Sequence, residues 1–183
     1  MSAKRIARPL HRRLALWLVV PLLISLSTGI FYRVGRSWFG MEKPTGQRIL
    51  DFHTGMVLGE TVSLLYTAFT GLGLLLLAIS GARLLFASRA SRGARGRHRL
   101  VAWVLLPPLI ATSVTGLGYH FGGHWFGWEE GTLKLLMNIH QGSWLGPTLR
   151  PFYILLVGGG LLMLIITGMA MLRPKGKSTR PKA

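Results

Sequence analysis

Four apolar runs, at about 14–32, 62–86, 101–119 and 152–172, dominate this sequence. Each has the length that crosses a hydrocarbon core of roughly 30 Å as a helix. In lipid the backbone must satisfy its own hydrogen bonds, and in segments this long only the α-helix does so without a partner strand. The expected fold is therefore all-α, with four transmembrane helices. The first run follows Lys4, Arg5, Arg8, Arg12 and Arg13, as a signal peptide would. Its core is long and no small-x-small cleavage site follows, so retention is expected.

Charge sets an expected orientation. Most of the 22 Lys and Arg lie in the N-terminal residues, in the loop "ARLLFASRASRGARGRHRL" and in the tail "RPKGKSTRPKA". The five acids, Glu42, Asp51, Glu60, Glu129 and Glu130, lie in the alternate connections. The positive-inside rule then places both termini and the middle loop in the cytoplasm. Basic clusters beside membrane spans are explained by anionic lipid head groups, so membrane lipid is the expected partner and the net charge of +17 calls for no nucleic acid. The absence of cysteine excludes disulfides, thiolate metal sites and iron–sulfur ligation by this chain. No phosphate-cradling loop, dinucleotide fingerprint or Ser/His/Asp arrangement is visible, and five carboxylates give little material for acid–base catalysis.

The chain is also an internal duplication. Shifted by 87 positions, residues 11–85 align with 98–172 without a gap, and about 29 of 75 positions are identical. The expected layout is a basic N-terminus (1–10), a first repeat (11–86), a basic linker (87–97), a second repeat (98–172) and a basic tail (173–183). Each repeat holds two spans, so the two should share an orientation and be related by a pseudo-twofold axis along the membrane normal. Within each repeat, Pro147, Pro151 and clustered glycines predict a break before the second span. A short helix is expected at about 133–143, and its counterpart at 46–56.

Four of the six histidines fall into matched pairs, His11 with His98 and His53 with His140. The symmetry brings each pair face to face, the first at the cytoplasmic side and the second at the outer side, one span or roughly 30 Å apart. Two imidazoles meeting across an apolar bundle meet the requirement for six-coordinate haem b, and an unpartnered polar ring in a membrane is costly. These four are the candidate axial ligands of two haems. Arg12 and Arg99 on one side, and Arg33 and Arg48 on the other, are candidate propionate partners. Gly29 and Gly116 are candidates for close packing of a flat macrocycle, although most glycines in the spans are expected to serve ordinary helix packing. His120 and His124 break the repeat, aligning with Arg33 and Ser37. They are weak candidates for an external metal, because Gly122 and Gly123 argue against a helix that would align them. Trp38, Trp125, Trp128, Tyr32 and Tyr119 read as an interfacial aromatic belt.

"LHRRLALWLVVPLLISLSTGIFY" and "FHTGMVLGETVSLLYTAFTGLGLLLLAISG" resemble the membrane helices of PepSY-associated transmembrane proteins. The shared elements are a His opening the first helix, a Thr-Gly near its end, and a His-x-Gly before a Gly-punctuated helix that closes in Ser/Thr-Gly. Here they are His11, Thr28-Gly29, His53-Thr54-Gly55 and Ser80-Gly81, then His98, Thr115-Gly116, His140-Gln141-Gly142 and Thr167-Gly168. The family includes inner-membrane reductases linked to ferric siderophore uptake. The resemblance implies haem b ligation by the four paired histidines and outward electron transfer. The connections here are too short for a soluble PepSY domain, so substrate recognition by that domain does not carry over. The expected function is a di-haem b cytochrome passing electrons from an unidentified donor to an extracytoplasmic acceptor such as ferric iron, alone or within a larger membrane complex. The alternatives are a single-haem protein or a cofactor-free membrane scaffold.

Overall fold

The structure, a computed structural model, describes residues 3–87 and 92–172. The basic tail, residues 88–91 of the linker and the side chains of Lys4 and Arg5 lie outside the described residues. Six α-helices and two single 3-10 turns make up the described chain: α1 (Ala3–Trp38), α2 (Lys43–Thr54), α3 (Glu60–Phe86), α4 (Gly93–His124), α5 (Glu130–His140) and α6 (Gly146–Ala170). No strand occurs among the described residues. Helices α1, α3, α4 and α6 are each long and apolar enough to cross a membrane. Their surfaces match that medium. Trp17, Phe31, Leu65, Leu100 and Phe152 all stand exposed, an arrangement that water would penalise.

The four long helices form a square. Helix α1 packs on α3 and α6, and α4 packs on the same two, whereas no Cα atoms of the diagonal pairs α1/α4 and α3/α6 come within 8 Å among the described residues. The sides are closed by leucines set into glycine. A Cβ on Gly73 would run into Leu18, and one on Gly160 into Leu105. One turn-edge away, Gly71 faces Leu117 and Gly158 faces Ile30 at 2.7 Å. Each Gly-x-Gly thus receives one branched side chain from each of two neighbouring helices. Without a hydrophobic drive between helices in lipid, such close approach supplies the packing energy. Leu18 and Leu105 are accordingly among the most buried side chains.

The short helices fold back along the helices that precede them. Going from residue 46 to 53, α2 passes Tyr32 and Arg36 and then Gly29. Going from 133 to 140, α5 passes Gly123, Gly118 and Gly116. Each return ends in a left-handed glycine, Gly55 at φ +78° and Gly142 at φ +65°, packed on Tyr66 and Tyr153. A single 3-10 turn and a second positive-φ glycine, Gly59 or Gly146, then start the next span. The expected break is present in both repeats. One expectation fails: α4 runs unbroken through Gly122 and Gly123 to His124. Trp128 folds over Gly122 and covers the backbone that glycine would otherwise expose to competing partners.

Candidate functional site

All four paired histidines are received by one local device, a Ser/Thr-Gly dipeptide on a neighbouring long helix. His11 Nδ1 lies 3.0 Å from Ser80 Oγ, and His98 Nδ1 lies 2.9 Å from Thr167 Oγ1. His53 Nδ1 lies 3.1 Å from Thr28 Oγ1 and 2.9 Å from the Ser25 carbonyl. His140 Nδ1 lies 3.5 Å from Thr115 Oγ1 and 2.9 Å from the Thr112 carbonyl. The glycine of each dipeptide sits beneath the ring. Its Cβ would stand 3.3 Å from Cε1 of His11 at Gly81, 3.6 Å from His98 at Gly168, 3.4 Å from His53 at Gly29 and 3.0 Å from His140 at Gly116. In a helix the side chain of residue i+4 flanks the carbonyl of residue i. Glycine at 29 and 116 therefore uncovers the carbonyls of Ser25 and Thr112 to a second donor.

These bonds fix the tautomer. Carbonyl oxygens only accept, so His53 and His140 donate from Nδ1. The hydroxyls of Ser80 and Thr167 donate to the carbonyls of Leu77 and Met163, at 3.1 and 2.6 Å, and so accept from His11 and His98. The proton thus sits on Nδ1 in all four rings, as assigned from the bonding pattern. Nε2 keeps its lone pair and makes no hydrogen bond among the described residues. That is the ligating form of imidazole, and holding the other nitrogen by a carbonyl or hydroxyl is what orients a metal-bound histidine.

His11 and His98 line one cavity of about 360 Å³ between the diagonal helices α1 and α4. The volume falls in the usual range for cofactor sites, roughly 300–1,000 Å³. Leu77, Leu164 and Ile165 give apolar walls, and Arg8, Arg12, Arg95 and Arg99 stand around the mouth. Sequence reasoning nominated Arg12 and Arg99. Arg8 and Arg95 join them because each lies one turn away from its partner, on the same helix face.

At the other level, His53 and His140 are close enough for charge on one to act on the other. Burial holds both below the ordinary imidazole range, and His140 pushes His53 further down, to about 4. Both rings are neutral at pH 7, as ligation requires. The two levels are nearer than one full span. His53 touches α1 at Ser25, fourteen residues beyond His11, or about 21 Å at 1.5 Å per residue. The fold-back of α2 accounts for the shortening.

The remaining nominees separate. Arg33 is buried and donates to Gln141 Oε1 at 2.6 Å, beside His140 in sequence, while Arg48 stands exposed on α2. Gly29 and Gly116 back the imidazoles themselves. His124 Nδ1 lies 3.5 Å from Glu60, and no cluster of three or more His, Cys, Asp or Glu occurs among the described residues. Of the aromatic residues, Trp38, Tyr119, Trp125 and Trp128 are exposed near helix ends. Comparison of the chain with protein-family models, curated proteins and solved structures finds no match.

Proposed function

We propose that this chain is a transmembrane di-haem b cytochrome that carries electrons across a bacterial inner membrane to an extracytoplasmic acceptor, ferric iron or a ferric siderophore being the chemistry the PepSY-associated resemblance suggests. His11 and His98 are the axial ligands at one level, and His53 and His140 at the other. The observation that carries the reading is the fourfold Ser/Thr-Gly device. Four imidazoles are held through Nδ1 and leave Nε2 without a hydrogen bond among the described residues, and His11 and His98 line a common cavity. Duplication makes each device occur twice, and the same tautomer is held in two different settings, on α3 and α6 for His11 and His98 and on α1 and α4 for His53 and His140.

Haem iron would supply one-electron redox chemistry at each level. The chain's part is to fix ring orientation, to keep the ligands neutral and to exclude water with leucine walls. Arg12 and Arg99 at the cavity mouth suit propionate carboxylates, with Arg8 and Arg95 beside them. Contacts that recur at the 87-residue shift support a pseudo-twofold axis along the membrane normal. Charge distribution supports cytoplasmic termini, which puts the His11/His98 level inside.

The test is an absorption spectrum of the purified full chain, oxidised and after dithionite. Two low-spin b haems are expected, and His53→Ala or His140→Ala should remove one of them. One haem in the unaltered chain would restrict the reading to a single level. No haem would leave a membrane scaffold.

A further inference from the structure

Arg33 and Arg150 are an anomaly at the α2/α5 end. Arg33 is only 8% exposed, inside an apolar span, and its sole hydrogen bond among the described residues runs to Gln141. Arg150 has a buried Nε without a partner. The two guanidiniums lie within Coulombic reach of one another, with Arg36 nearby and the Tyr32 ring 5.3 Å from the Arg33 guanidinium carbon. No carboxylate stands within ion-pairing distance of either among the described residues. A buried guanidinium beside a half-buried one, with no counter-ion, is unfavourable, and a guanidinium fork is built for a planar two-oxygen acceptor.

The aligned positions show the deficit again in neutral form. At the 87-residue shift Arg33 aligns with His120, and Ser63 aligns with Arg150. His120 Nε2 and Ser63 Oγ are the other buried polar side-chain atoms without partners among the described residues. Every such orphan therefore belongs to this one aligned quartet. Buried polar groups of this kind are normally satisfied, by protein, water or a ligand, and the arginine pair carries charge that a ligand anion would balance.

We propose that Arg33 and Arg150, with Gln141 as a neutral neighbour, form a seat for a carboxylate between α1 and α6. Arg33 is one helical turn from Gly29, on which His53 rests. The carboxylate is therefore either a propionate of a haem held by His53 and His140 or the carboxylate of a free anion entering from that end. The seat does not depend on the redox reading. It rests on the burial of Arg33, the unpartnered Nε of Arg150 and their shared charge.

The test uses the full chain in detergent with two probes. Haem b and its dimethyl ester are titrated into haem-free protein, and thermal stability is measured with and without succinate. If the carboxylate is a propionate, the free acid binds the His53/His140 level about tenfold or more tighter than the ester, and Arg33→Gln or Arg150→Gln abolishes that preference at this level. Arg33→Lys should restore part of it. If the carboxylate is a free anion, succinate raises the melting temperature of the unaltered chain and leaves both Gln variants unmoved. Should haem fail to bind at all, the electron-transfer reading falls while the succinate measurement still decides this one. Absence of both effects would overturn the seat. Retained helical circular dichroism checks that the variants fold.

Discussion

His11 Nδ1 and Ser80 Oγ stand 3.0 Å apart across 69 residues of sequence, and His98 and Thr167 repeat the bond at 2.9 Å across the same 69. Each hydroxyl already donates to its own helix, so it can only accept from the imidazole. The consequence is a directional bond that keeps the proton on one ring nitrogen. The orientation of both rings then rests on two small side chains.

Removing those side chains should loosen the rings without removing them. On the proposed haem ligation, Ser80→Ala and Thr167→Ala are expected to lower haem affinity about 10–100-fold, the usual effect of deleting a group that orients a metal-bound histidine. Haem titration followed in the Soret band reads this. Ser80→Thr, which keeps the acceptor, should stay close to the unaltered chain.

The glycines under the rings should rank by clearance. A Cβ at Gly116 would stand 3.0 Å from His140, whereas one at Gly168 would stand 3.6 Å from His98, an ordinary contact. Gly116→Ala is expected to displace its ring and change the low-spin spectrum at that level. Gly168→Ala should leave the spectrum at the other level unchanged. Equal effects from the two would mean that ring contact is not what these glycines provide.

Acid should weaken the haem-free chain through His53. Its folded pKa of about 4 lies below the ordinary 6.5, so between those values the unfolded chain binds the extra proton. Stability is fully present above about pH 6.5 and falls as pH drops towards 4, by a contribution of the order of 3 kcal/mol at most. Melting in detergent across pH 4–8 should show this slope, and His53→Gln should flatten it.

The fold-back turns should tolerate little. Gly55→Ala and Gly142→Ala combine a left-handed φ with a tight contact on Tyr66, at 3.1 Å, and a collision with Tyr153, and each should destabilise by about 1–3 kcal/mol. Gly40→Ala and Gly127→Ala share the positive φ but meet nothing within 4 Å, so the backbone strain alone should appear. Melting curves of the four variants separate steric overlap from strain.

The sequence showed the spans, the broken helices and the paired histidines, because periodicity, glycine and proline act locally. It did not show what receives the histidines. Ser80-Gly81 and Thr167-Gly168 were visible as a recurring dipeptide, but a hydrogen bond across 69 residues leaves no local signature. The continuation of α4 through Gly122 and Gly123 has a related reason: beyond the helix end, Trp128 folds back over Gly122 and Leu133 of α5 lies against Gly123. Arg150 escaped notice because its aligned residue is Ser63, and charge that the duplication does not preserve looks like ordinary interfacial arginine. The spacing of the two levels was overestimated, since a turn's position in sequence does not tell how deeply the following helix re-enters.

Helix α1 leans on α6 and α4 leans on α3, so each long helix of one repeat borrows a wall from the other. A severed repeat would own a single member of every imidazole pair and two unclosed sides. Such a fragment could complete itself only by meeting a twin, and the fused chain fixes that encounter permanently, at unit stoichiometry, without relying on two molecules colliding in the bilayer.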